Sequence, residues 1–135
     1  MRVNPGCWIL FVCSLMVGCS SMTNGIALSG SEGGAAKLQK ESSSLGQQVG
    51  LELQQLRRMD DRLELAVKVK SHIAYDQSLQ YKIDWFDEGG MPVEPDSAYW
   101  QPLILHGGEQ KIIRSSAPLS DATSFSFAVR NIVKD

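Results

Sequence analysis

The sequence predicts an all-β domain, an antiparallel sandwich of immunoglobulin-like type with about seven strands. Three observations carry this. Apolar and polar residues alternate with period two in several separate stretches of the C-terminal two-thirds. Turn-forming clusters of Gly, Asp, Ser and Pro separate those stretches at short intervals. That C-terminal segment is long enough for one small domain with one modest core.

Taken in order, Val49, Leu51 and Leu53 alternate with Gly50, Glu52 and Gln54. The polar pair Asp60-Asp61 turns the chain. Leu63, Leu65, Val67 and Val69 then alternate with Glu64, Ala66, Lys68 and Lys70. Leu79, Tyr81, Ile83 and Trp85 form the next inward set, with Phe86 on the opposite face. Asp87-Glu88-Gly89-Gly90 is a turn, with Asp87 expected to cap it through its side chain. Met91-Pro92-Val93 is a short edge-like continuation. Trp100–Leu105 is a strand closed by His106-Gly107-Gly108, and residues 110–116 follow. Pro118 and Asp121 mark a loop before Ser124–Arg130, where Phe125, Phe127 and Val129 point inward. Trp85 is the expected core tryptophan. A small five-stranded barrel is the alternative architecture.

The N-terminus reads differently. Arg2 gives a positive start, and Trp8–Val17 is an apolar run about half the length needed to span a bilayer. A basic start, a short apolar core and small residues at the end describe a signal peptide. It ends at Met16-Val17-Gly18-Cys19, which resembles a bacterial lipobox, with Met16 where Leu is usual. The resemblance implies lipidation of Cys19 and cleavage before it. Two or more acyl chains hold a protein durably, at about 0.8 kcal/mol per buried CH₂. Ser20 in the second mature position implies the outer membrane, facing the periplasm, by the sorting rule that resemblance carries. The expected organisation is therefore a signal peptide over 1–18, a lipidated Cys19 with a flexible Ser/Gly-rich tether over 19–44, and the sandwich domain over 45–135. A tether of that length has a root-mean-square span of about 25–30 Å.

Processing would remove Cys7 and Cys13 and leave one cysteine, itself acylated, so neither an intrachain disulfide nor a cysteine metal site is expected. It would also remove Arg2 alone among the charges, taking 13 basic residues to 12 against 15 acidic ones, a net charge of −3. That balance argues against nucleic acid or anionic lipid as the main partner.

Three stretches carry a further resemblance. YKIDWFDEGGMPV, WQPLILHGGEQ and SSAPLSDATSFSFAVR are similar to the YcfL family of small bacterial lipoproteins. Tyr81, Trp85, Phe86, Asp87, Gly90, Val93, Trp100, Leu103, Ala117, Pro118, Ala122 and Arg130 fill the matching places. The resemblance implies the fold and the anchor and implies no reaction.

Candidate chemistry is thin. His72 and His106 fall in predicted turns without a second His or a Cys at ligand spacing, so a solvated turn is the better reading of each. The HGG at 106–108 has the glycines of an oxyanion loop but no G-x-S-x-G elbow to serve. Asp87–Gly90 lacks the alternating oxygens of a calcium loop. No catalytic residue, metal or cofactor is expected, and the chain is read as a non-enzyme. The surplus aromatics Phe86, Tyr99 and Trp100 are the candidate partner-binding residues, Trp100 being open to a core place as well. The expected function is a non-enzymatic outer-membrane lipoprotein. Its partners would be the membrane, through the anchor, and envelope proteins in an assembly such as a flagellar ring or secretion complex. Binding of peptidoglycan or a small ligand is the alternative.

Overall fold

The computed structural model describes residues 25–132. The signal peptide over 1–18 and Cys19 lie outside the described residues. Within them the chain runs β1 (Gly25–Ser31), β2 (Lys37–Lys40), α1 (Ser43–Gln48), β3 (Val49–Met59), β4 (Arg62–Ser71), β5 (Gln77–Phe86), β6 (Pro92–Val93), a 3₁₀ turn (Pro95–Ser97), β7 (Gln101–Leu105), β8 (Gln110–Ser116) and β9 (Ser124–Asn131).

These strands form two antiparallel sheets. Sheet A has the order β2-β1-β9-β5, with β6 and β7 both pairing with β5; sheet B has the order β3-β4-β8. The expected sandwich is present, and all seven expected strands are in it as β3 to β9. The pairings follow the immunoglobulin pattern, in which A, B and E share one sheet and C, F and G the other. Here β3, β4 and β8 stand as A, B and E. β5 and β9 stand as C and F. The G place beside β9 is filled by β1, which comes from the N-terminal side of the chain rather than after β9.

That substitution corrects the expected domain boundary. The expected tether over 19–44 does not hold from Gly25 onward, where the chain is folded. Gly25–Ser31 pairs residue for residue with β9, and Ile26 and Leu28 are buried in the core. The alternation Ile26, Leu28 against Ala27, Ser29 is a strand signal too short to stand out in a Ser/Gly-rich context. Its outward residues are small because they floor a groove, and small residues have the composition of a linker. The following residues make β2 and α1. Ser42 caps α1, its Oγ accepting from Leu45 N at 3.2 Å. Leu45 is then fully buried between the sheets.

The core is built from the inward faces. Leu63, Leu65, Val67 and Val69 of β4 meet Leu79 and Trp85 of β5 and Phe125, Phe127 and Val129 of β9. Trp85 is 5 % exposed and tilts against Phe125, ring centroids 6.5 Å apart. Tyr81 stacks on Phe127 at 5.5 Å. Sheet B is narrower than sheet A, which leaves Tyr81 and Ile83 only half-buried. Burial, with Tyr99 nearby, pushes the Tyr81 phenol above its ordinary value, and its hydroxyl bonds Gln101 Oε1 at 3.1 Å.

Turns follow their residues. Asp60 and Asp61 both take positive φ, 48° and 69°, in the two-residue link between β3 and β4. Asp87 caps its turn as expected, Oδ1 accepting from the backbone N–H groups of Gly89 and Met91 at 2.9 Å each. Arg58 ties three loops together at that end of the sandwich. Its Nε and Nη2 donate to the Glu32 carboxylate at 3.2 and 2.8 Å. It also donates to the carbonyls of Asp61, Ser120 and Ala122.

Candidate functional site

The outer face of sheet A carries the site. Where β1 and β9 pair, Ala27 faces Ala128 and Ser29 faces Ser126. Four small side chains in a row make a low floor. Larger ones stand on either side: Gln39 and Glu41 along β2 and the residue after it, and Lys82, Asp84 and Phe86 along β5. The result is a groove of about 510 Å³ that Trp100 and Arg130 also line. A second hollow of about 290 Å³ shares Ser29, Ser126 and Phe86 and continues toward Ser31 and Ser124. Together they follow the strands along the paired length of β1 and β9, seven residues or roughly 23 Å.

Trp100 is fixed by cations. Arg130 Cζ lies 3.8 Å from the centre of its ring and Lys82 Nζ 5.1 Å. Arg130 is itself held by a bond from Nε to Gln80 Oε1 at 3.0 Å, and Lys82 approaches Asp84 at 3.6 Å. Lys82 and Arg130 are balanced on the groove lining by Glu41 and Asp84. The groove is therefore apolar in its aromatics, small on its floor and mixed in charge, a surface that suits a polar segment with groups of both signs.

Of the aromatics chosen from sequence, the structure brings two together. Phe86 and Trp100 both line the groove, Phe86 pointing away from the core as its alternation with Trp85 requires. Trp100 is half-buried on the outer face beneath its two cations rather than in the core. Tyr99, 64 % exposed, lies apart. It borders a cleft of about 230 Å³ at the other side of the sheet, with Ile83, Trp85 and Pro118. His72 and His106 are exposed and outside the groove. His106 Nδ1 lies 3.0 Å from Asp76 Oδ1 at an open turn. Gly108 takes φ 71° as the hairpin reading requires. Gly107 serves a different purpose, since a Cβ there would run into the Ala74 carbonyl.

Sequence reasoning missed Lys82, Arg130, Glu41 and the whole floor. A signal existed in the outward set Lys82, Asp84, Phe86 opposite Ser126 and Ala128, but half the floor belongs to β1, whose Ser/Gly-rich composition is that of a tether.

The family model described as Protein of unknown function (DUF1425) matches residues 36–131, from the loop before β2 through β9. Among solved structures, a DUF1425 family member from a Shewanella species is 28 % identical, with a TM-score of 0.58 over 64 % of this chain and 81 % of its own. The Campylobacter jejuni protein Cj0090 is 23 % identical, with a TM-score of 0.50 over 59 % of this chain and 85 % of its own, a likeness of fold. No curated protein matches the chain.

Proposed function

From the premise that this chain belongs to the DUF1425 family, we propose that it is a non-catalytic, YcfL-like lipoprotein of the outer membrane. Cys19 carries the lipid, the sandwich faces the periplasm, and the groove on sheet A holds an extended segment of another envelope protein. The observation behind this reading is the groove itself. It is long in the strand direction, floored by Ala27, Ser29, Ser126 and Ala128, and walled by Phe86 and by Trp100 under its cations. An extended peptide matches that length and offers side chains at alternate positions. Weak contacts suffice, because a common membrane raises the effective concentration of both partners.

A second reading rests on one feature. The groove sets an aromatic beside two carboxylates, Glu41 and Asp84, the residue types a cell-wall glycopeptide or small polar ligand would use. Arg130, 3.8 Å from the ring centre, covers one face of Trp100. That leaves less of the ring free to stack a sugar, and the protein reading is preferred.

The test is co-purification from detergent-solubilised envelopes with the full chain. Phe86→Asp and Trp100→Ala should lose a partner that wild type and Tyr99→Asp retain, with lipid labelling unchanged. Loss of the partner with Tyr99→Asp, and retention with both groove variants, would move the site to the other cleft. Binding of isolated muropeptides that depends on Glu41 and Asp84 would favour the second reading.

A further inference from the structure

The corrected boundary changes how far the domain can stand from its anchor. Five residues, 20–24, separate Cys19 from Gly25. Six Cα steps reach at most about 20 Å at full extension. A domain of about 100 residues has a radius of gyration near 13 Å, so it is wider than the link that holds it.

Gly25 is not free to lengthen that link. It is buried, it pairs with Arg130, and its carbonyl accepts from the backbone N–H groups of Glu41 and Ser42 at 3.1 Å each. The end of the sandwich that carries it can be traced by register. Arg130 lies opposite Gly25, Asn131 opposite Leu79, and Gln77 opposite Leu105. The link between β4 and β5 therefore lies at this end, with Tyr75, and so does Ile132. Tyr75 is 64 % exposed and Ile132 39 %. An exposed tyrosine with an apolar body and a polar tip suits the headgroup level of a bilayer.

We propose that the Gly25 end of the sandwich rests against the lipid surface, with Tyr75 and Ile132 at the headgroups. The groove then runs outward, its Arg130 end near the membrane and its Ser31–Ser124 end away from it. The proposal rests on the lipoprotein reading of Cys19 given above.

The test uses the full chain, processed and reconstituted in vesicles. In the mature protein the acylated Cys19 leaves any introduced cysteine as the single free thiol. A fluorescent probe is attached at Tyr75→Cys or, at the opposite end, Asp121→Cys, and the vesicles carry a nitroxide-labelled lipid. The probe at 75 should lose most of its fluorescence and the probe at 121 almost none. Inserting a Gly/Ser spacer of about 20 residues after Thr23 adds roughly 13–16 Å of root-mean-square span and should restore much of the lost signal at 75. Equal fluorescence at both sites would overturn the pose; quenching at 75 alone that persists with the spacer would support it, with the contact held by Tyr75 and Ile132 themselves rather than by the short link. Mass analysis of Cys19 on the same samples separates the two readings. Acylated protein with no quenching at 75 defeats the pose alone, and unacylated Cys19 defeats both.

Discussion

Deleting β1 is the sharpest test of the fold. The fragment 45–135 contains every strand read from the sequence; the fragment 25–135 adds β1, β2 and the start of α1. In the structure β1 buries Ile26 at 1 % and Leu28 at 4 % exposure. Full burial of such side chains is worth about 1.5–3 kcal/mol each, so their loss removes roughly 3–6 kcal/mol. The ladder to β9 goes too, at about 0.5–1.5 kcal/mol for each backbone bond. A domain of this size has about 5–15 kcal/mol in all. Deletion also turns β9 from an interior strand into an edge with unpaired N–H and C=O groups, a template for association. The shorter fragment should therefore lack a cooperative thermal transition by circular dichroism and should sediment as oligomers, while 25–135 melts as a monomer. Leu28→Ala in the longer fragment gives a graded version. It should cost about 2–5 kcal/mol, a fall in Tm of roughly 10–30 °C. A monomeric 45–135 fragment melting within a few degrees of 25–135 would show that β1 contributes nothing to the fold.

Trp85→Ala should cost about 3–5 kcal/mol, as truncation of a buried aromatic does, and guanidinium titration should show the midpoint moving with little change in slope. Asp61→Gly should stabilise by about 0.5–1 kcal/mol, because φ 69° is strained for a side chain and free for glycine; an unchanged or lower Tm would count against the turn geometry. The Arg58 guanidinium, chiefly by hydrogen bonding, holds the Glu32 carboxyl below its ordinary value. A lowered folded pKa means that the pair's contribution is present above the unfolded value and fades as pH falls through the folded one, so acid melts below about pH 4.3 should be shallower for Glu32→Gln than for wild type. Parallel acid profiles would show that the ion pair carries no linkage.

Much of this molecule could be read from its residues. The period-two runs of Leu63–Val69 and Leu79–Trp85 fix strands and inward faces locally, because a strand alternates whatever lies beside it. Asp87 and the Asp60-Asp61 pair announce their turns for equally local reasons. The separation of Phe86 from Trp85 onto opposite faces needed no more than parity. What strand parity cannot supply is the neighbour. Gly25–Ser31 has the composition of a linker and becomes an interior strand only because β9 offers it a ladder and the core takes Ile26 and Leu28. The groove is non-local in the same way. Its floor needs Ala27 beside Ala128, 101 positions apart in the chain, and its wall needs Trp100 brought under Lys82 and Arg130 by the connection into β7. Periodicity along the chain chose the faces of each strand. Only the pairing of distant strands decided which of those faces are covered, where the domain begins, and which small residues open a groove.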